Sequence, residues 1–154
     1  MTSGGTESIL CAVKAYRDYA RQKWPYITQP EMILPISGHV AFEKAGHYFG
    51  VKCVWISMDS RTHRPNLNEL SRKINKNTIL IVASAPGYPS GTMDPIIDIA
   101  QIAEKYSLPV HVDSCIGGFM LPFVEKLGYP IDLWDFRVIG VTSISADVHK
   151  YGYS

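Results

Sequence analysis

Five short runs decide what this chain folds into: EMILPIS (31–37), VKCVWISM (51–58), TILIVASA (78–85), LPVHVDS (108–114) and RVIGVTSIS (137–145). Each is mostly apolar and rich in Val and Ile, the make-up of strands buried on both faces of a parallel sheet. Between them, residues 40–49, 66–74, 96–106 and roughly 117–127 carry helical patterns. Ahead of the first run, Ile9, Leu10, Val13, Tyr16, Ala20 and Trp24 recur at helical spacing over residues 6–24, and Pro25 stops them. Strands alternating with helices at this spacing predict an α/β fold, a mostly parallel sheet with helices on both faces and right-handed crossovers. Ligands of such sheets sit at the carboxyl ends of the strands.

The chain is long enough for one domain with its own core, at 154 residues and 46% hydrophobic. Fifteen Lys and Arg against 14 Asp and Glu leave a formal charge of +1, which excludes a broad basic surface for nucleic acid. Cys11, Cys53 and Cys115 are odd in number and lack CxxC spacing. That argues against a disulfide framework or zinc knuckle and fits a reducing, cytosol-facing compartment; Cys11 and Cys53 read as core thiols, and no metal-ligand spacing occurs among the histidines. The apolar runs fall far short of the roughly 20 residues of a membrane helix, and no signal-peptide pattern opens the chain.

The residues that follow the strands bring reactive side chains to one edge: His39, Tyr88, Asp113, and Asp147 to Lys150. TSGGTES (2–8) opens a helix, where Gly4 and Gly5 permit close backbone approach, Thr6 offers a hydroxyl and the first amides suit a phosphate. The same stretch also reads as a plain helix start, capped by Ser3 or Thr6 with Glu7 near the positive end. Asp113, at the end of a buried strand, needs a cationic or hydrogen-bonding partner; a protonated pyridine nitrogen is one, and the amides of a following helix are another. Lys150 follows ADVH and has the chemistry for a Schiff base, although a lone lysine is ordinarily a solvated charge. His149 could touch a phosphate or a carboxylate. His39 has a flat ring able to stack on a planar group, and Tyr88, in APGYPSGT, a phenol suited to proton transfer. Phosphate loop, strand-end acid and lysine together are what pyridoxal 5'-phosphate requires.

TSGGTESIL, HVAFEKAGHYFGV, SAPGYPSGTMDPI, HVDSCIGGF and GVTSISADVHKYGY resemble, in order and spacing, the central part of the sphingosine-1-phosphate lyases, pyridoxal-phosphate enzymes related to the group II amino acid decarboxylases. The resemblance implies the aspartate aminotransferase-like (fold type I) fold, with residues 1–154 a partial cofactor-binding large domain and an N-terminal segment and C-terminal small domain outside it. It implies that Lys150 forms the Schiff base, Asp113 pairs with the pyridine nitrogen, and His39 stacks on the ring. Gly5, Thr6 and His149 would serve the phosphate, and Tyr88 would act near the substrate. The implied reaction is retro-aldol cleavage of a phosphorylated long-chain base to a fatty aldehyde and phosphoethanolamine. It would run in a homodimer with shared active sites, held at the endoplasmic reticulum membrane through an N-terminal anchor. An amino acid decarboxylase and a catalytically inactive remnant are the alternatives.

Overall fold

The apolar runs become strands β1 (Glu31–Pro35), β2 (Lys52–Ile56), β3 (Thr78–Ser84), β4 (Val110–Asp113) and β5 (Val141–Ser145) in a computed structural model that describes residues 1–154. They form one sheet in the order β2-β1-β3-β4-β5, and every pairing is parallel. The chain steps from β1 outward to β2, then returns across β1 to β3 and continues the other way. The order therefore reverses between β1 and β3, where open α/β sheets leave a crevice at the carboxyl edge.

Helices α1 (Gly5–Lys23) and α2 (Val40–Phe49) cover one face, with Ile9, Val13, Phe42 and Ala45 packed on Met32, Leu34, Leu80 and Val82. On the other face, α3 (Leu67–Lys73), α4 (Ile96–Lys105) and α5 (Leu121–Lys126) bury Leu70, Ile99, Ala103 and Leu121 against Ile33, Ile81, Val110 and Val112. Side chains alternate between the faces along each strand. Val110 and Val112 point to the α3–α5 side, while His111, whose ring meets Phe42 edge-on at 5.9 Å, points to α1 and α2. Asp113 is in phase with His111, and in β5 Ser143 and Ser145 join them.

Three expectations from sequence are corrected. The run at 117–127 is two elements, a 3-10 turn (Gly117–Phe119) and then α5, because Pro122 has no amide to continue a helix but fits the first turn of a new one. The last strand starts at Val141 rather than residue 137, since the segment before it folds into a turn closed by the Val138 amide on the Asp135 carbonyl. Cys11 is exposed, not a core thiol: two residues beyond the buried Ile9, helical geometry turns it to the opposite face.

Candidate active site

The strand register aligns Ser84, Asp113 and Ser145 in one row at the carboxyl edge. Around it the chain gathers Gly5, Thr6, His39, Cys115, His149 and Lys150 on a cleft of about 360 Å³. Asp113 and Tyr88 stand outside the lining of this cleft, joined to it through neighbours.

At the start of α1, Gly4 adopts φ +155° and ψ −180°, a region open essentially to glycine alone. No side chain caps the helix, so neither Ser3 nor Thr6 plays that part. Instead Glu7 folds back to accept the Ser3 amide at 2.5 Å, and the Ser3 hydroxyl, with that amide second, holds its carboxyl below the ordinary range. The first helical amide satisfied within the chain at this end is Ser8, bonded to Gly4. A Cβ on Gly5 would lie 2.6 Å from Asp147 Oδ2 and 2.7 Å from Cys115 Sγ, and His149 stands over Gly4.

His39 occupies the N-cap of α2, where Nδ1 accepts the Ala41 amide at 3.1 Å. The bond orients the ring and leaves Nε2 free. Tyr88, exposed on the β3–α4 loop, meets the His39 ring edge-on at 5.5 Å, so the two span the crevice between β1 and β3. That loop is closed by Asp94. Its buried carboxylate accepts the Ser84 amide at 2.7 Å while its own amide donates to the Ser84 carbonyl, and burial pushes its pKa up to about 7.

Asp113 is buried, and Oδ1 accepts the Cys115 amide at 3.1 Å and the Ser145 hydroxyl at 3.3 Å. It thus caps the following turn with one oxygen, while Oδ2 makes no hydrogen bond to the chain. The Cys115 thiol is held well above the ordinary thiol range by burial and by the neighbouring Asp113 charge, so it sits in the site as a neutral S–H.

Lys150 lies in a turn after β5, its Nζ 3.0 Å from Asp147 Oδ2; His149 Nε2 is 3.6 Å from the same oxygen. Asp147 is buried, and its Oδ1 has no hydrogen-bond partner. The lysine is therefore held by a desolvated carboxylate rather than solvated freely. Sequence reasoning placed Asp147 on the reactive edge without giving it a task, and singled out neither Asp94 nor His111. Asp147 alone carried a signal, lying between the strand and the lysine on the reactive edge.

Residues 1–154 match the pyridoxal-dependent decarboxylase conserved domain. The chain is 52% identical to sphingosine-1-phosphate lyase 1 of Rattus norvegicus, over 100% of its own length and 27% of the rat protein. It thus spans about a quarter of the length of the curated relatives it matches. Among solved structures, a sphingosine-1-phosphate lyase of Burkholderia pseudomallei K96243 superposes with a TM-score of 0.94 at 48% identity, over 98% of this chain and 34% of that one. A glutamate decarboxylase of Lactobacillus brevis gives 0.82 at 29% identity, over 98% and 36%.

Proposed function

The chain belongs to the pyridoxal-dependent decarboxylase family, and on that premise we propose that the protein is a carbon–carbon lyase that cleaves phosphorylated long-chain bases to a fatty aldehyde and phosphoethanolamine. The observation that carries the reading is the single cleft lined by Gly5, Thr6, His39, His149 and Lys150 at the carboxyl edge of the sheet.

The residues present fit pyridoxal 5'-phosphate. A helix start without a side-chain cap, closed to any side chain at Gly5, is a cradle for a phosphate. Asp113 has a buried carboxylate with one oxygen free for a cationic N–H. When bound, the cofactor supplies an aldehyde for an amine to capture and a protonated ring that draws electrons from the bond being broken.

Each residue then has a stated task. Gly5, Thr6 and the first amides of α1 hold the phosphate, with His149 beside them. Asp113 would pair through its free Oδ2 with the protonated ring nitrogen. Lys150, whose Nζ pairs with Asp147 Oδ2 at 3.0 Å, would be the amine that holds the cofactor through its aldehyde. His39, fixed by its cap bond, offers a flat face to the ring. Tyr88 acts near the substrate, where a phenol can take or return a proton as the C3 hydroxyl becomes a carbonyl.

The cofactor-binding part of the large domain is residues 1–154 in this reading, with an N-terminal segment and a small domain elsewhere in the protein. Phe119, Phe123, Leu127 and Tyr129 are exposed apolar side chains of the kind that a further domain or a second subunit covers, and the homodimer itself rests on the family resemblance. The location at the endoplasmic reticulum rests on the family resemblance and on an anchor outside these residues; no helix of the chain is long and apolar enough to cross a membrane.

Incubating the full-length protein with a sphingoid base phosphate and, separately, with amino acids tests the reading. Release of a long-chain aldehyde with phosphoethanolamine is expected. Release of carbon dioxide from an amino acid without any aldehyde would replace the lyase with a decarboxylase.

A further inference from the structure

The face of the sheet toward α1 carries a file of polar side chains in what is otherwise a hydrophobic layer. Asp113 Oδ1 accepts the Ser145 hydroxyl at 3.3 Å. Ser145 Oγ stands 3.2 Å from His111 Nε2, and His111 Nδ1 stands 2.7 Å from Ser143 Oγ. Ser143 in turn meets the Tyr16 hydroxyl at 2.5 Å. His111, Ser145 and Asp113 are buried, whereas Tyr16 is half-buried and lines a groove between α1 and β5.

The sense of these bonds follows from the one end that cannot donate. An ionised Asp113 only accepts, so Ser145 spends its single proton there. The two acceptor positions of Ser145 take the Cys115 thiol, at 3.4 Å, and a proton on His111 Nε2. In the neutral ring His111 Nδ1 is then bare and accepts from Ser143, while the single Tyr16 proton is shared between Ser143 and Thr142, whose own proton goes to the Val110 carbonyl. A neutral imidazole, one donor and one acceptor, matches the two serines that flank it. Burial favours that form, lowering the His111 pKa to about 4 against the opposing pull of Asp113.

We propose that His111 is a positioning residue for Asp113: acting through Ser145, it keeps the carboxylate turned so that Oδ2 stays free for the ring nitrogen of the cofactor. The proposal rests on the cofactor reading above and adds to it a residue that touches neither cofactor nor substrate. A hydrogen bond into a charged acceptor in a dry site is among the stronger ones, so its loss should reach the partner on the far side of the carboxylate.

The test compares affinities of the full-length apoprotein for pyridoxal phosphate and for its 1-deaza analogue, in which carbon replaces the ring nitrogen. Wild type should prefer pyridoxal phosphate by about tenfold or more, the worth of one charge-assisted bond. In His111→Phe and Ser145→Ala this preference should shrink by at least about threefold, with affinity for the analogue nearly unchanged. His111→Gln, whose amide can still donate to Ser145, should keep it. Equal losses for both ligands, or an undiminished preference in Ser145→Ala, would overturn the proposal. Should His111→Phe not fold, Ser145→Ala decides alone, since it leaves the imidazole in place. Failure of wild type to bind either ligand would instead overturn the cofactor reading.

Discussion

A methyl group at residue 5 has nowhere to go, with a carboxylate oxygen 2.6 Å and a thiol sulfur 2.7 Å from where it would sit. The glycine is therefore required by packing at the reactive edge and not by helix propensity, which favours alanine. Gly5→Ala should cost about 1–3 kcal/mol of stability through overpacking and weaken cofactor binding by displacing the first turn of α1. Urea unfolding and a cofactor titration of the full-length protein check both effects, and a variant unchanged in each would show that the cradle is not built on this contact. Most individual site residues could be read from sequence where their meaning is local: the loop glycines, the strand-end Asp113 and the lysine. Asp147 stood on that edge without a task, and His111 could not be read at all, because what makes it matter is a contact with another segment. For His111 the partners are Ser143 and Ser145, 32 and 34 residues on, and a buried histidine on a strand carries no local sign of them.

Among the elements, the β3–α4 loop that carries Tyr88 depends on Asp94, whose buried carboxylate is bonded to the last residue of β3. Its folded pKa is raised from 3.8 to about 7 by burial. Between those values the folded protein binds a proton that the unfolded chain has already lost, so this group's contribution to stability falls as pH rises from about 4 to about 7. His111 acts in the opposite sense. With its folded pKa lowered from 6.5 to about 4, stability is lost as pH falls through that interval. Asp94→Asn removes the first effect and leaves the second, so the difference between wild type and variant isolates it. Asparagine keeps an acceptor for the Ser84 amide but does not titrate. The variant should gain on wild type by about 1.4 kcal/mol for each pKa unit of the shift between pH 4.5 and pH 8, measured by urea unfolding. A difference constant with pH would mean that Asp94 is ionised throughout. The strands and helices themselves were legible because period two and period 3.6 are properties of short windows. The break at Met120 was not, because the apolar pattern runs on through it and only Pro122 marks the restart.

At the scale of the whole molecule, the parallel sheet accounts for the collection of chemistry on one side. All five strands run the same way, so all five following loops open at one edge, and residues from Gly5 to Lys150 meet there although nearly the whole chain separates them. That convergence could be deduced from the alternation of elements before any contact was known. The strand order, with its reversal between β1 and β3, could not, since pairing partners are set by tertiary packing. The central claim is that this edge exists to hold a cofactor on Lys150, and covalent trapping tests it most directly. The full-length protein is loaded with pyridoxal phosphate, reduced with borohydride, digested and examined by mass spectrometry. The account predicts one stoichiometric adduct, on the peptide that contains Lys150, and its loss in Lys150→Ala. An adduct on another lysine, or none in protein that has bound the cofactor, would contradict it.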